Sequence, residues 1–108
     1  MSNFVRVGAL EDFPEGQGRI VSAARKPIAV FKVDGRIYAV NNICPHMGGP
    51  IGAGQVEGAV VSCPYHNMRF ELDTGLSADA FGHSLQTYTV KVEGGDVWVD
   101  AWWAKKKG

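Results

Sequence analysis

The sequence predicts an all-β domain of small antiparallel sheets, an incomplete barrel or sandwich with a loop subdomain over about residues 41–75. Three observations carry this. Glycine makes up 14 of the 108 residues, close to twice the usual share. No segment sustains a helical apolar period beyond two turns. Short alternating runs, by contrast, recur on either side of turn dipeptides. At this length the chain is a single domain, 1–108, with room for a modest core and none for a second catalytic domain.

The first legible hairpin spans Pro27 to Val40, where Asp34-Gly35 turns the strand Ile28–Val33 back into Arg36–Val40. A second pair brackets Glu57-Gly58, and Arg69–Leu72 follows as a short strand ended by Asp73-Thr74-Gly75. In Gln86–Glu93, Tyr88, Val90 and Val92 fall on one face and Thr87, Thr89, Lys91 and Glu93 on the other. Gly94-Gly95 supplies a tight turn, and Asp96–Asp100 then points Val97 and Val99 inward and Trp98 outward. Residues 101–108, with Trp102, Trp103 and Lys105 to Lys107, are expected to form a tail that covers the open face of the barrel.

Charge narrows the partners. Eleven basic and eleven acidic side chains balance, which predicts neither a nucleic-acid nor an anionic-membrane partner. No stretch reaches the roughly 18–20 apolar residues of a membrane span. Glu11 and Asp12 stand where a signal peptide needs its apolar region. A cytoplasmic monomer is expected.

Between the strands lie two loops rich in Gly, Pro, Cys and His, Asn41–Gly54 and Cys63–Asn67. Any irregular connection accounts for the prolines and glycines. It does not require Cys44-Pro45-His46, sixteen residues, then Cys63-Pro64-Tyr65-His66, which holds both cysteines and two of the three histidines of the chain. A Cys44–Cys63 disulfide leaves the histidines unexplained. A metal site needs soft or borderline donors converging from separate segments, and two loops that each offer a thiolate and an imidazole meet that need. Zinc is the plain alternative, giving a zinc-stabilised interaction module. Structural zinc, however, usually takes C-x-x-C followed by H-x-x-x-H, so the interleaved order is atypical. Absorption separates the two: a zinc protein is colourless.

These residues resemble the Rieske family, whose motif is C-x-H, about sixteen residues, then C-x-x-H. Cys44-Pro45-His46-Met47-Gly48-Gly49-Pro50 and Cys63-Pro64-Tyr65-His66 are similar to its two loops, and Asp73-Thr74-Gly75 to the turn that follows. The resemblance covers roughly residues 5–100. It implies a Rieske-type fold and one [2Fe–2S] cluster, with Cys44 and Cys63 on the inner iron and His46 and His66 on the outer one. It also implies an electron exit at the His46/His66 tip. Two ferric ions, two sulfides and two thiolates sum to zero charge, so one electron is accepted more readily than by a four-thiolate centre. Such centres span about −150 to +300 mV.

Neighbouring side chains set the place in that range. Hydroxyl groups donating to the sulfurs stabilise the added negative charge and raise the potential. In high-potential members a Ser and a Tyr supply them and a disulfide ties the loops. Here Met68 and Phe70 stand at the hydroxyl positions, and Gly49 and Tyr65 where the extra cysteines would be. The resemblance therefore implies a low-potential ferredoxin, near −150 mV, like those that feed ring-hydroxylating dioxygenases. Its partners would be an NAD(P)H-dependent flavin reductase and a terminal oxygenase, touched transiently at the tip.

The chain itself is expected to perform no bond chemistry, since no nucleophile is paired with a base and no open metal position remains. The small subunit of a nitrite reductase is the alternative within the fold. An oxygenase's own Rieske domain is disfavoured, because the chain has no room for a mononuclear iron site. Pro45, Met47, Ile51, Pro64, Tyr65 and Met68 are expected to shield the cluster and offer a docking surface. His83 has no vacant ligand position to fill and reads as exposed or docking. The segment between Gly75 and Leu85 lacks the proline frequent in the family.

Overall fold

The computed structural model describes residues 4–45, 48–65, 68–79 and 84–104, with residues 102–104 described by their backbone alone. Nine strands occur among them: β1 (Phe4–Ala9), β2 (Gly18–Ala23), β3 (Lys26–Val33), β4 (Arg36–Asn41), β5 (Gln55–Glu57), β6 (Val60–Ser62), β7 (Arg69–Glu71), β8 (Thr87–Glu93) and β9 (Asp96–Ala104). Six form one antiparallel sheet in the order β1-β9-β8-β4-β3-β2, whose ends β1 and β2 return into contact and nearly close a barrel. The remaining three, β5-β6-β7, make a small sheet of their own. This is the expected all-β architecture. No helix among the described residues is long and apolar enough to cross a membrane.

Two apolar cores lie on opposite faces of β3. Ile28 and Val30 point into the barrel with Phe13, Tyr88, Val97 and Val99. Ala29, Phe31 and Val33 point the other way, into a core shared with the small sheet and the irregular loops. Ile28 to Phe31 are fully buried as a result. A strand covered on both faces reads as a continuous apolar run rather than an alternating one, as Ile-Ala-Val-Phe does.

The expected hairpins at Asp34-Gly35 and Gly94-Gly95 are present, and the pair expected around Glu57-Gly58 is present with its turn one residue on, at Gly58-Ala59, because Glu57 pairs with Val60. At the first, both turn residues have positive φ, 51° and 77°, and the Glu15 carboxylate accepts both of their amides. β1 and β2 were not expected. The β2–β3 turn is Ala24-Arg25, with φ of 51° and 64°, a left-handed pair built without the Asn or Gly that announces it.

In β8 the expected alternation fails at both ends. Thr87 is buried because the barrel covers one side of the strand start and the turn at Gly75 the other. Val92 is exposed, lying beside the hairpin turn beyond the core. Trp98 stands out of phase with buried Val97 and Val99 as expected, its ring 5.6 Å from Lys91 Nζ. β9 continues to Ala104, so the expected tail over 101–108 is instead strand as far as residue 104. Past Asp100 the pairing with β8 is irregular, Thr89 facing Asp100 and Tyr88 facing Ala104, so a bulge rather than regular alternation carries the strand on. Lys105 to Lys107 lie outside the described residues.

Candidate functional site

The two cysteines open two loops of matching construction. Cys44 N donates to Gly49 O at 2.9 Å, and Cys63 N donates to Met68 O at 2.9 Å, so each loop closes on the carbonyl five residues downstream. The first loop follows β4. Asn42, buried at its base, donates its amide to Pro27 O at 3.1 Å, and its carbonyl accepts Ile51 N at 2.7 Å. Its side-chain Oδ1 accepts Gly52 N at 2.7 Å. The second loop is closed by the register pair Ser62 and Arg69 of β6 and β7.

Both thiols are fully buried and neither cysteine is in a disulfide. They belong to the core that includes Phe31, Ile51, Val61, Phe70, Leu72 and Leu85, with Met68 packed against it. The loops touch through Gly49: a Cβ there would lie 2.8 Å from Cys63 Sγ and 3.0 Å from Tyr65 Cγ. Positions 49 and 65 therefore adjoin across the loops with no side chain at 49 to link them. Two uncrosslinked thiols on facing loops, with space kept open by a glycine, fit a group that takes thiolate ligands.

Among the described residues no three Cys, His, Asp or Glu side chains converge as a metal site. Any set built on the cysteines thus takes its other members from outside these residues, where His46, His66 and His83 lie. Met47 lies there too. Of the expected docking side chains, Pro45 and Pro64 are exposed, Tyr65 is 66% exposed and Met68 half-buried. Ile51 does not belong with them: it is fully buried, because the short 3₁₀ turn Ile51–Ala53 folds it into the core. Ile43, 48% exposed beside the first loop, is an apolar surface residue that the sequence reading missed.

A third segment, 76–79, lies along β7, where Ser77 bridges Phe70 antiparallel. Ala78 N donates to Arg69 O at 2.8 Å. Asp79 accepts Arg69 N at 2.9 Å, Nη2 at 2.7 Å and Nε at 3.1 Å. These hydrogen bonds, then the charge of the guanidinium, hold the Asp79 carboxyl below its ordinary value. Nothing in the sequence pairs residue 69 with residue 79.

The barrel with an appended loop core, and two buried thiols on facing loops, define a class. The chain belongs to the Rieske-like [2Fe–2S] domain family, whose profile matches residues 3–100. Its cofactor is one [2Fe–2S] cluster. Among relatives, the chain is 38% identical over 93 residues to the ferredoxin component of the naphthalene 1,2-dioxygenase system of Pseudomonas aeruginosa, covering 85% of this chain and 89% of that one. Its structure is similar to the ferredoxin in a complex of reduced oxygenase and oxidised ferredoxin in carbazole 1,9a-dioxygenase: TM-score 0.81, 31% identity, 88% of this chain and 99% of that one. It is also similar to a structure assigned as the small subunit of an NADH-dependent nitrite reductase from Mycobacterium tuberculosis: TM-score 0.85, 25% identity, 97% of this chain and 96% of that one.

Proposed function

We propose that this chain is the low-potential ferredoxin of a ring-hydroxylating dioxygenase system, taking electrons from an NAD(P)H-dependent flavin reductase and passing them to the terminal oxygenase. It is an electron-transfer component and not itself a catalyst. One domain, 1–108, carries the cluster-binding subdomain over about residues 41–75. Cys44 and Cys63 hold the inner iron from the buried side, and His46 and His66 hold the outer iron. When bound, the [2Fe–2S] cluster stores and releases one electron. Pro45, Pro64 and Tyr65, all exposed and next to His46 and His66 in sequence, offer the small apolar contact that a transient redox complex uses. The protein acts as a monomer in the cytoplasm.

The observation that carries the low potential is Phe70. Its ring is fully buried in the same core as both cysteines, and Met68 packs against that core. The two positions that resemble the hydroxyl donors of high-potential relatives thus carry a phenyl ring and a thioether. Neither stabilises added charge on sulfur as a hydroxyl does. We expect a brown-red protein with a midpoint near −150 mV. Protein-film voltammetry giving a value above about +100 mV would refute this account of the neighbours.

A second reading, the nitrite reductase small subunit, is favoured by the likeness in fold to the Mycobacterium tuberculosis structure. Stopped-flow mixing of the reduced chain with a naphthalene-type terminal oxygenase separates them. The ferredoxin reading requires reoxidation coupled to hydroxylated product.

A further inference from the structure

The two cysteine loops have unlike flanks. On the second-loop side, residues 57–79 carry exposed Glu57, Glu71, Asp73 and Asp79, and Asp79 holds the guanidinium of Arg69. On the first-loop side, residues 16–33 and 35–56, which supply β2, β3, β4 and the loop itself, contain no Asp or Glu. Two large apolar side chains stand out from this flank, Ile43 at 48% exposure and Ile20 at 49%, and Pro27 is exposed as well.

Contacts join them into one strip. Ile43 leads into Cys44 and exposed Pro45, and it bridges Pro50 across the neck of the loop. Gly52, two residues on, lies against β2: a Cβ there would run into Ile20 Cγ1, so only a glycine lets strand and loop share one continuous surface. Asn42 completes the connection, its Oδ1 accepting Gly52 N and its amide donating to Pro27 O. Ile20 pairs in register with Ala29, and Pro27 stands two residues from Ala29 on the same side of β3. With about 3.5 Å per residue and about 5 Å per cross-chain step, the run from Pro45 to Ile20 spans at most about 25 Å. A transient redox contact of about 600 Å² per partner is about 28 Å across, so one footprint covers the strip and Pro45 together. Its rim is basic: Arg25, exposed in the β2–β3 turn two residues before Pro27, is in no ion pair among the described residues.

We propose that Ile43, Pro27 and Ile20 form a docking surface for the terminal oxygenase, continuous with Pro45 and met by an apolar surface with an acidic rim. The proposal deepens the ferredoxin reading and rests on it: this flank decides how the partner is seated. The carboxylates of the second-loop flank repel the same acidic rim, which leaves one orientation.

The experiment uses holoprotein and compares Ile20→Thr and Ile43→Thr with a control, Val92→Thr. Threonine keeps the β-branched shape that a strand favours while replacing a methyl group with a hydroxyl. Val92 is 47% exposed, nearly as much as the other two, but lies at the end of β8 remote from its pairing with β4. Stopped-flow reoxidation of the reduced chain by a naphthalene-type terminal oxygenase is followed against oxygenase concentration and salt. Wild type comes first: if the oxygenase does not reoxidise it, the ferredoxin reading fails, and this proposal with it, before any variant is made. With wild type coupled, we expect Ile20→Thr and Ile43→Thr each to lower the second-order rate roughly three- to tenfold. The half-saturating concentration should rise, with the limiting rate, midpoint potential and melting midpoint unchanged. Arg25→Gly, which the left-handed turn accepts, should flatten the fall of the rate with salt. Val92→Thr should match wild type. A wild-type rate in Ile20→Thr, the residue farthest from Pro45 along the strip, would overturn the proposal. So would equal slowing in Val92→Thr, slowing confined to reduction by the flavin reductase, or a wild-type dimer that Ile20→Thr disperses.

Discussion

Replacing Gly49 with alanine adds a single methyl group at the contact between the two cysteine loops. Its Cβ would lie 2.8 Å from Cys63 Sγ, while ordinary contact begins at 3.4 Å, so sulfur or loop must retreat by 3.4 − 2.8 = 0.6 Å. The 3.0 Å approach to Tyr65 matters less, since that ring is mostly exposed and can swing away. Cys63 cannot move so freely if it is a ligand, because metal–ligand distances tolerate only about 0.2 Å. Overpacking of this kind costs about 1–3 kcal/mol, or about five- to 150-fold in cluster retention. The measurement is iron and acid-labile sulfide per chain, with the rate of cluster release to a chelator. Gly48→Ala is the control: Gly48 has φ +72° and open space around its Cβ, so it carries backbone strain without touching sulfur. Full cluster content and a wild-type release rate in Gly49→Ala would refute the placement of Cys63 at the site.

Other expectations follow from the same geometry. Phe70→Tyr and Met68→Ser should each raise the midpoint potential by bringing a hydroxyl toward sulfur, while His66→Cys, where a cluster still assembles, should lower it; voltammetry reads all three. Ala24-Arg25→Asn-Gly suits the left-handed β2–β3 turn and should stabilise by about 1 kcal/mol, seen as a rise of about 5 °C in melting midpoint. Because Asp79 titrates below its ordinary value of 3.8, its stabilising effect is complete above that pH and is lost as pH falls through the lower folded value. For so exposed a pair the effect is local: the Arg69 amide resonance should move as pH falls through that lower value in the wild type and stay fixed in Asp79→Asn.

Local chemistry was enough for the hairpins at Asp34-Gly35 and Gly94-Gly95, and to within one residue for the turn at Gly58-Ala59, because left-handed turns and two-residue alternation are written in adjacent residues. It was enough for the family as well, since the paired Cys/His runs need no fold to be seen. It failed for β1 and β2, the two ends of the sheet. β2 leads into a turn of Ala and Arg whose conformation is imposed by the pairing of β2 with β3 rather than preferred by its residues. It failed at Ile51 too, which stands in a glycine-rich loop yet folds into the core.

The sequence by itself determined the all-β class, the two cysteine loops and the chemistry their donors can support, because each is a property of neighbours along the chain. Only the tertiary structure decided that β3 separates two cores, that Gly49 lies against Cys63, and that Asp79 pairs with Arg69. These are contacts between residues 10 or more positions apart. They arise where separate segments of the chain meet in space, and no local preference of Gly49 or Asp79 encodes the partner each meets.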